Sequence, residues 1–292
     1  MDKDFYNSSS SSKLGWKPQD FGCDEFDEEL VKAIKKFQKS VGIKADGLCG
    51  PGTYRRLIAK KESEAKKHKR YHCPDSDDNY IICNNKEFKI DWPKVLTYKD
   101  VGGLKLSTGY RRHSGKRDVK YFVNHWDVCL NSETCVKVLR KRGISVHFCI
   151  DNDGTIYQLM DANDIAWHAG GSKWNSDSIG VEIANAYYPK YQNWYKKNGH
   201  GERPIWSDKK VHGGKLGDFL GFYDIQLEAL KALWKSVHNA YNIPLIGPKV
   251  TDTVDPDSVK GKFRGIINHY NLKKSKIDCA GLDIESLLKD IK

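Results

Sequence analysis

With 292 residues, 39% of them hydrophobic and 30% charged, the chain is long enough for one large domain or two unequal ones built around a real core. No apolar run approaches the roughly 20 residues of a membrane span. The lead MDKDFYNSSSSSKLGW lacks the apolar stretch of a secretory signal, so the expected place of synthesis is the cytoplasm of a host cell, with a separate route to any work outside. A formal charge of +11 favours a polyanionic partner without choosing among nucleic acid, anionic lipid and an acidic polymer.

Residues 1–12, polar and serine-rich, read as a disordered lead. From Phe26 to Phe37 the apolar residues Leu30, Ile34 and Phe37 share one helical face, lysines face outward, and Asp27 is placed to cap the start. Gly42 stops that helix, Asp46-Gly47 signals a turn, and Pro51 opens a second short helix ending near Leu57. Lys60 to Arg70 is charged and nearly without apolar residues, a linker or solvated helix extension. Asn79 to Cys83 and Phe88 to Ile90 suit a hairpin around Asn84-Asn85; residues 72–117 have no further role legible in them. From 118 strands and helices alternate. Strands are expected at 119–124, 145–150, 155–160, 178–184 and 263–268, and helices at 132–141, from Asp224 onward, and at 284–291. That order predicts an α/β fold, a mixed central sheet flanked by helices.

The eight cysteines (23, 49, 73, 83, 129, 135, 149 and 279) show no CxxC pairing, which suits reduced thiols, and Cys149 reads as a small core residue. Glu182 ends the apolar strand SIGVEI, where a carboxylate is costly to bury unless it has a task or a partner. His125 follows YFVN and His269 follows GIIN, so two imidazoles sit at strand ends, as a catalytic zinc site with three ligands and one open position requires.

The order His125, Glu182, His269, Cys279 resembles that of the zinc-dependent N-acetylmuramoyl-L-alanine amidases, the type 2 amidase and peptidoglycan-recognition fold, over about residues 118–290. FQKSVGIKADGLCGPGTYRRL is similar to the small three-helix peptidoglycan-binding domain, over about 13–59. The resemblance implies Zn2+ held by His125, His269 and Cys279, with Asp278 the alternative third ligand because Ala280 stands where the family carries proline. It implies Glu182 as general base, the family's tyrosine before His147 being replaced by Val146, and Lys276 as the group that steadies the oxyanion. His168 is similar to the family's substrate-facing histidine, Trp167 and Trp174 are candidates to stack on a sugar, and His147 reads as structural. The implied organisation is a lead (1–12), a wall-binding domain (13–59), a linker (60–77) and a zinc amidase domain (78–292). Removing residues 1–60 is then expected to weaken wall binding and spare cleavage of small substrates. The aromatic and basic segment 186–223 is long enough to be a functional loop. The expected partner is bacterial peptidoglycan rather than nucleic acid or a membrane, the chain acting as a monomer, in the manner of a bacteriophage endolysin. The rival readings are a non-catalytic wall-recognition protein, an amidase recycling soluble muropeptides, and a nucleic-acid binder.

Overall fold

The structure, a computed structural model, describes residues 2–64 and 75–291. Most of the charged segment expected to link two domains lies outside these residues, as does Cys73. No helix among them is long and apolar enough to cross a membrane.

The serine-rich lead is a helix, α1 (Lys3–Leu14), and not a disordered tail. Serine favours helices weakly, but both ends are capped. The Asp2 side chain accepts from the backbone N–H of Asp4 and Phe5, and Gly15 closes the helix at φ 80°. Tertiary contacts hold it: buried Asn7 donates to Gly47 O (3.0 Å) and accepts from Cys49 N (2.9 Å). Helix α2 (Glu28–Ser40) is capped by Asp27 and buries Leu30, Ile34 and Gln38. The Gln38 amide bonds Thr53 Oγ1 and Gly47 N, locking α2 to the turn before α3 (Pro51–Glu64).

A hairpin follows, β1 (Tyr80–Cys83) and β2 (Lys86–Lys89), in antiparallel register. Its two turn residues, Asn84 and Asn85, have φ 53° and 59°, as a two-residue hairpin turn demands. Residues 72–117 gain a further role here, because β3 (Val95–Leu96) joins the edge of the main sheet. The other strands of that sheet are β4 (Tyr121–Trp126), β5 (Phe148–Ile150), β6 (Ile156–Gln158), β7 (Ser178–Ile183) and β8 (Gly265–Asn268). Among the described residues its order is β8-β4-β7-β5-β6-β3, parallel throughout except for β5 against β6. The mixed sheet flanked by helices is as expected.

Helix α4 (Ser132–Arg142) and helix α5 (Asp224–Tyr241) cover opposite faces; α6 (Ile284–Lys289) packs beside α5. On the α5 face Trp234 donates to Asn124 Oδ1 (3.1 Å) among Phe122, Ile179, Val181 and Ile183. On the other, Val136 and Leu139 of α4 share one buried cluster with Leu14, Trp16, Tyr54 and Leu57 from the N-terminal helices. Glu62 of α3 also accepts from Asn131 Nδ2 (2.8 Å) and Thr134 Oγ1 at the start of α4, where a carboxylate suits the positive helix end. The helical unit is thus part of one packed body with the sheet.

The 186–223 segment spends much of its aromatic content on packing. Tyr191, Trp194, Tyr195 and Phe219 are buried. Arg203 lies between the rings of Tyr195 and Tyr223, at 4.4 and 4.3 Å, and its Nη1 and Nη2 donate to Gly221 O and Ala184 O, so its charge is held inside the fold by rings and carbonyls, although Nε is buried without a partner.

Candidate active site

Three parallel strands, β8, β4 and β7, end on the same edge of the sheet, the edge where open α/β sheets place their ligands. His125 on β4 and Glu182 on β7 are register partners, so their side chains leave the same face. Along β7 the alternate residues Ile179, Val181 and Ile183 join the α5-side core, which leaves Ser178, Gly180 and Glu182 on the other face. Gly180 is needed there: a Cβ would come within 2.5 Å of the His168 ring. His269 follows the last residue of β8, and the loop after it brings Lys276 and Asp278 back to the strand ends. These groups line a cleft of about 310 Å³ with Glu182, His168, Arg55 and Arg142. A larger groove of about 1290 Å³ separates the N-terminal helices from the 186–223 segment. It contains no histidine, so the chemistry belongs to the smaller cleft.

The proton positions around His125 follow from one chain of hydrogen bonds. Ser178 Oγ donates to Trp174 O (2.6 Å) and therefore accepts from His168 Nε2 (3.2 Å). His168 is neutral, because burial first and then the neighbouring His125 hold its pKa well below the usual value. Its Nδ1 accordingly accepts from His125 Nε2 (2.9 Å). His125 is neutral too, its pKa pulled down to about 4 by burial and by His269. Its Nδ1 is then a bare lone pair, 3.0 Å from Asp278 Oδ2; His269 Nδ1 lies 2.9 Å from the same oxygen. Burial works against the Asp278 charge, but His269 beside it outweighs this and holds the carboxyl well below its usual range. A lone pair aimed at a carboxylate oxygen is repulsive unless a cation lies between them. The ligand atoms of His125, His269 and Asp278 all lie within 4.8 Å of one another, and two imidazoles with a carboxylate are a donor set that suits zinc.

The group that meets both histidines is Asp278, where Cys279 was expected. Cys279 is fully buried among core residues including Ala280 and Leu282, and burial pushes its thiol pKa well up. Neighbouring residues of this loop point to opposite sides; the apolar side suits a thiol and the polar side a carboxylate. Lys276 lines the cleft and His168 buttresses His125. Neither Trp167 nor Trp174 lines the cleft: Trp167 is 45% exposed outside it, and Trp174 packs beside Tyr121, Val123 and Ala169. His147 is structural, accepting from Gly180 N (3.1 Å) and bonding Asp164 O (2.9 Å).

Glu182 is 6% exposed. Burial raises its pKa to about 7, with Arg55 pulling the other way; Arg55 Nη2 lies 3.7 Å from Glu182 Oε1. Sequence reasoning missed Arg55, which belongs to the helical unit read as remote from the chemistry, and Arg142, which reads as an ordinary basic helix end. No local signal in the sequence marks either one, because their meeting with Glu182 is a product of tertiary packing alone.

Residues 115–278, more than half of the chain, match the family model described as N-acetylmuramoyl-L-alanine amidase, and residues 12–57 match that of a peptidoglycan binding domain. A "Probable N-acetylmuramoyl-L-alanine amidase" of Bacillus licheniformis is 40% identical over 62 residues, which is 21% of this chain and 18% of that protein. The match thus spans under a fifth of that relative's length. Among solved structures, the chain is similar to the N-acetylmuramyl-L-alanine amidase AmiD of E. coli, solved with an anhydro-N-acetylmuramic acid peptide as substrate (19% identity, 65% of this chain and 64% of that one, TM-score 0.39). It is also similar to the N-acetylmuramoyl-L-alanine amidase LysC of Clostridium intestinale (17% identity, 68% and 97%, TM-score 0.39).

Proposed function

Because the chain belongs to the N-acetylmuramoyl-L-alanine amidase family, we propose that it is a zinc hydrolase that cuts the amide between the lactyl group of N-acetylmuramic acid and L-alanine in bacterial peptidoglycan. The observation that carries the zinc reading is the meeting of His125 Nδ1, His269 Nδ1 and Asp278 Oδ2, with the His125 lone pair and the Asp278 carboxylate facing each other. Zinc, when bound, supplies Lewis acidity beside the scissile carbonyl and lowers the pKa of water there to about 7.

His168 fixes the tautomer of His125 and so presents Nδ1 to the metal side. Glu182 is the general base. Its Oε2 is buried with no hydrogen-bond partner, which leaves a free acceptor for the proton of the attacking water; the same carboxyl then passes that proton to the departing amine. A pKa near 7 suits both halves of that transfer. Lys276, on the Asp278 loop, lines the same cleft, which supports reading it as the group that steadies the negative charge developing on the amide oxygen.

The peptidoglycan-binding domain over 12–57 supports an insoluble wall as the substrate rather than free muropeptides. The pairing of a wall-holding and a wall-cutting unit suits a bacteriophage endolysin delivered to the wall from inside its host. Mass spectrometry of purified peptidoglycan, digested with and without a zinc chelator, tests the activity. Stem peptides beginning with L-alanine beside intact glycan, seen only with zinc available, are the expected result. Unchanged peptidoglycan that still retains the protein would make the chain a recognition module.

A further inference from the structure

Two arginines beside Glu182 have no part in the reaction so far described. Arg55 reaches the cleft from α3, in the wall-binding unit, and Arg142 from the last turn of α4. The 3.7 Å between Arg55 and Glu182 is an ion pair but lies outside hydrogen-bond range. Neither guanidinium hydrogen-bonds any other described residue, and the Nε of each is buried without a partner. Each guanidinium carries five donors in a fork that matches a carboxylate. Burial and then the nearby Arg55 charge lower the Arg142 pKa to about 10. Burial acts on Arg55 as well, but Glu182 and other buried groups including Asp127 outweigh it and raise its pKa. Arg142 is therefore the cation short of a counter-charge, and an anion reaching both forks would complete the pair.

Its place in the cleft says which anion. Glu182 delivers its proton to the departing amine, so the arginine beside it stands on the amine side of the scissile bond. His269, Asp278 and Lys276 hold the carbonyl side. The cleft remains open at about 310 Å³, the lower end of the size range of ligand pockets. Arg55 is no withdrawn lid, because α3 and α4 share a buried apolar cluster and the Glu62 hydrogen bonds.

We propose that Arg55 and Arg142 form a carboxylate-binding subsite, built jointly by the wall-binding unit and the amidase fold, that grips a free carboxylate of the peptide on the leaving-amine side. This rests on the amidase reading for the identity of that side. The wall-binding unit then does more than hold the enzyme on the wall: it supplies part of the substrate cleft.

The test compares N-acetylmuramoyl-L-alanyl-D-glutamate with the same compound amidated at both glutamate carboxyls, using the full-length zinc-loaded protein. The wild type is expected to prefer the acid. The ratio of the two kcat/KM values should fall by at least about tenfold in Arg55→Met and in Arg142→Met, mainly through KM, as loss of charge-assisted hydrogen bonds requires. Arg142→Lys should restore only part of it, since an ammonium lacks the fork. A ratio unchanged in both methionine variants overturns the subsite, as does a wild type with no preference; either result leaves the amidase reading standing. If the wild type cleaves neither compound, the amidase reading fails and calorimetry with the dipeptide L-alanyl-D-glutamate decides the subsite. Binding weakened at least about tenfold in Arg142→Met supports it, and equal or absent binding overturns it.

Discussion

Replacing Glu182 with glutamine should trade catalysis for stability, and the trade should depend on pH in a way the structure sets. Glu182 is 6% exposed, and burial raises its pKa from 4.5 to about 7, against the pull of Arg55. A carboxyl with a raised folded-state pKa ionises first in the unfolded chain. It costs the fold nothing below about pH 4.5, an increasing amount as pH rises toward 7, and a constant amount above that. At 1.36 kcal/mol for each pH unit between 4.5 and about 7, the full cost is roughly 3 kcal/mol. Glutamine does not titrate. The stability of Glu182→Gln minus that of the wild type should therefore rise by roughly 3 kcal/mol between pH 4 and pH 8. Other titrating groups cancel in the difference. Urea unfolding of both proteins in a metal chelator, at half-unit pH steps, measures it. A difference that stays flat, or falls as pH rises, would refute the burial argument for Glu182. The variant should also lose about 10²–10⁴-fold in turnover.

Asp278→Asn should abolish tight zinc binding, while Cys279→Ser should keep the metal and lose about 1–3 kcal/mol of stability from a hydroxyl placed in the core; zinc analysis of the two purified variants checks this. In the zinc-loaded enzyme the base must be ionised, so kcat/KM should fall about tenfold per pH unit on an acid limb with its midpoint at or below about 7, and a profile with no acid limb down to about pH 4 would remove Glu182 from that role. Deleting residues 2–64 should leave the remainder aggregation-prone and weak on small soluble substrates, as light scattering and peptide release would show. Full activity of a well-behaved fragment would contradict the shared core.

The α/β order, the hairpin turn and the strand ends bearing His125, Glu182 and His269 were legible because strand periodicity and a polar residue closing an apolar run are local signals. The third member of the triad was not. Asp278 and Cys279 are adjacent in an irregular loop, where no periodicity says which of two neighbours faces inward, and both are good zinc ligands. The lead failed for a different reason. Its composition argues against a helix, and its order comes from the two caps together with the tether from Asn7 to Gly47 and Cys49, a contact across about forty positions. Trp167 and Trp174 show the converse error, in which a residue type suited to sugars is used elsewhere. Arg55 stood in a segment whose family resemblance pointed only to wall binding.

The apolar cluster that joins Leu14, Trp16, Tyr54 and Leu57 to Val136 and Leu139 sets a rule for recombination. Lytic enzymes are often treated as beads on a string, whose targeting bead can be exchanged to redirect the cutting bead. Here an exchange at residue 64 would leave the outer face of α4 greasy and strip a cation from beside Glu182. A viable hybrid would have to carry over a matching α4 surface and an arginine in the place of Arg55. Change in this lineage is therefore expected to run through the seam, with substitutions on α3 answered by substitutions on α4.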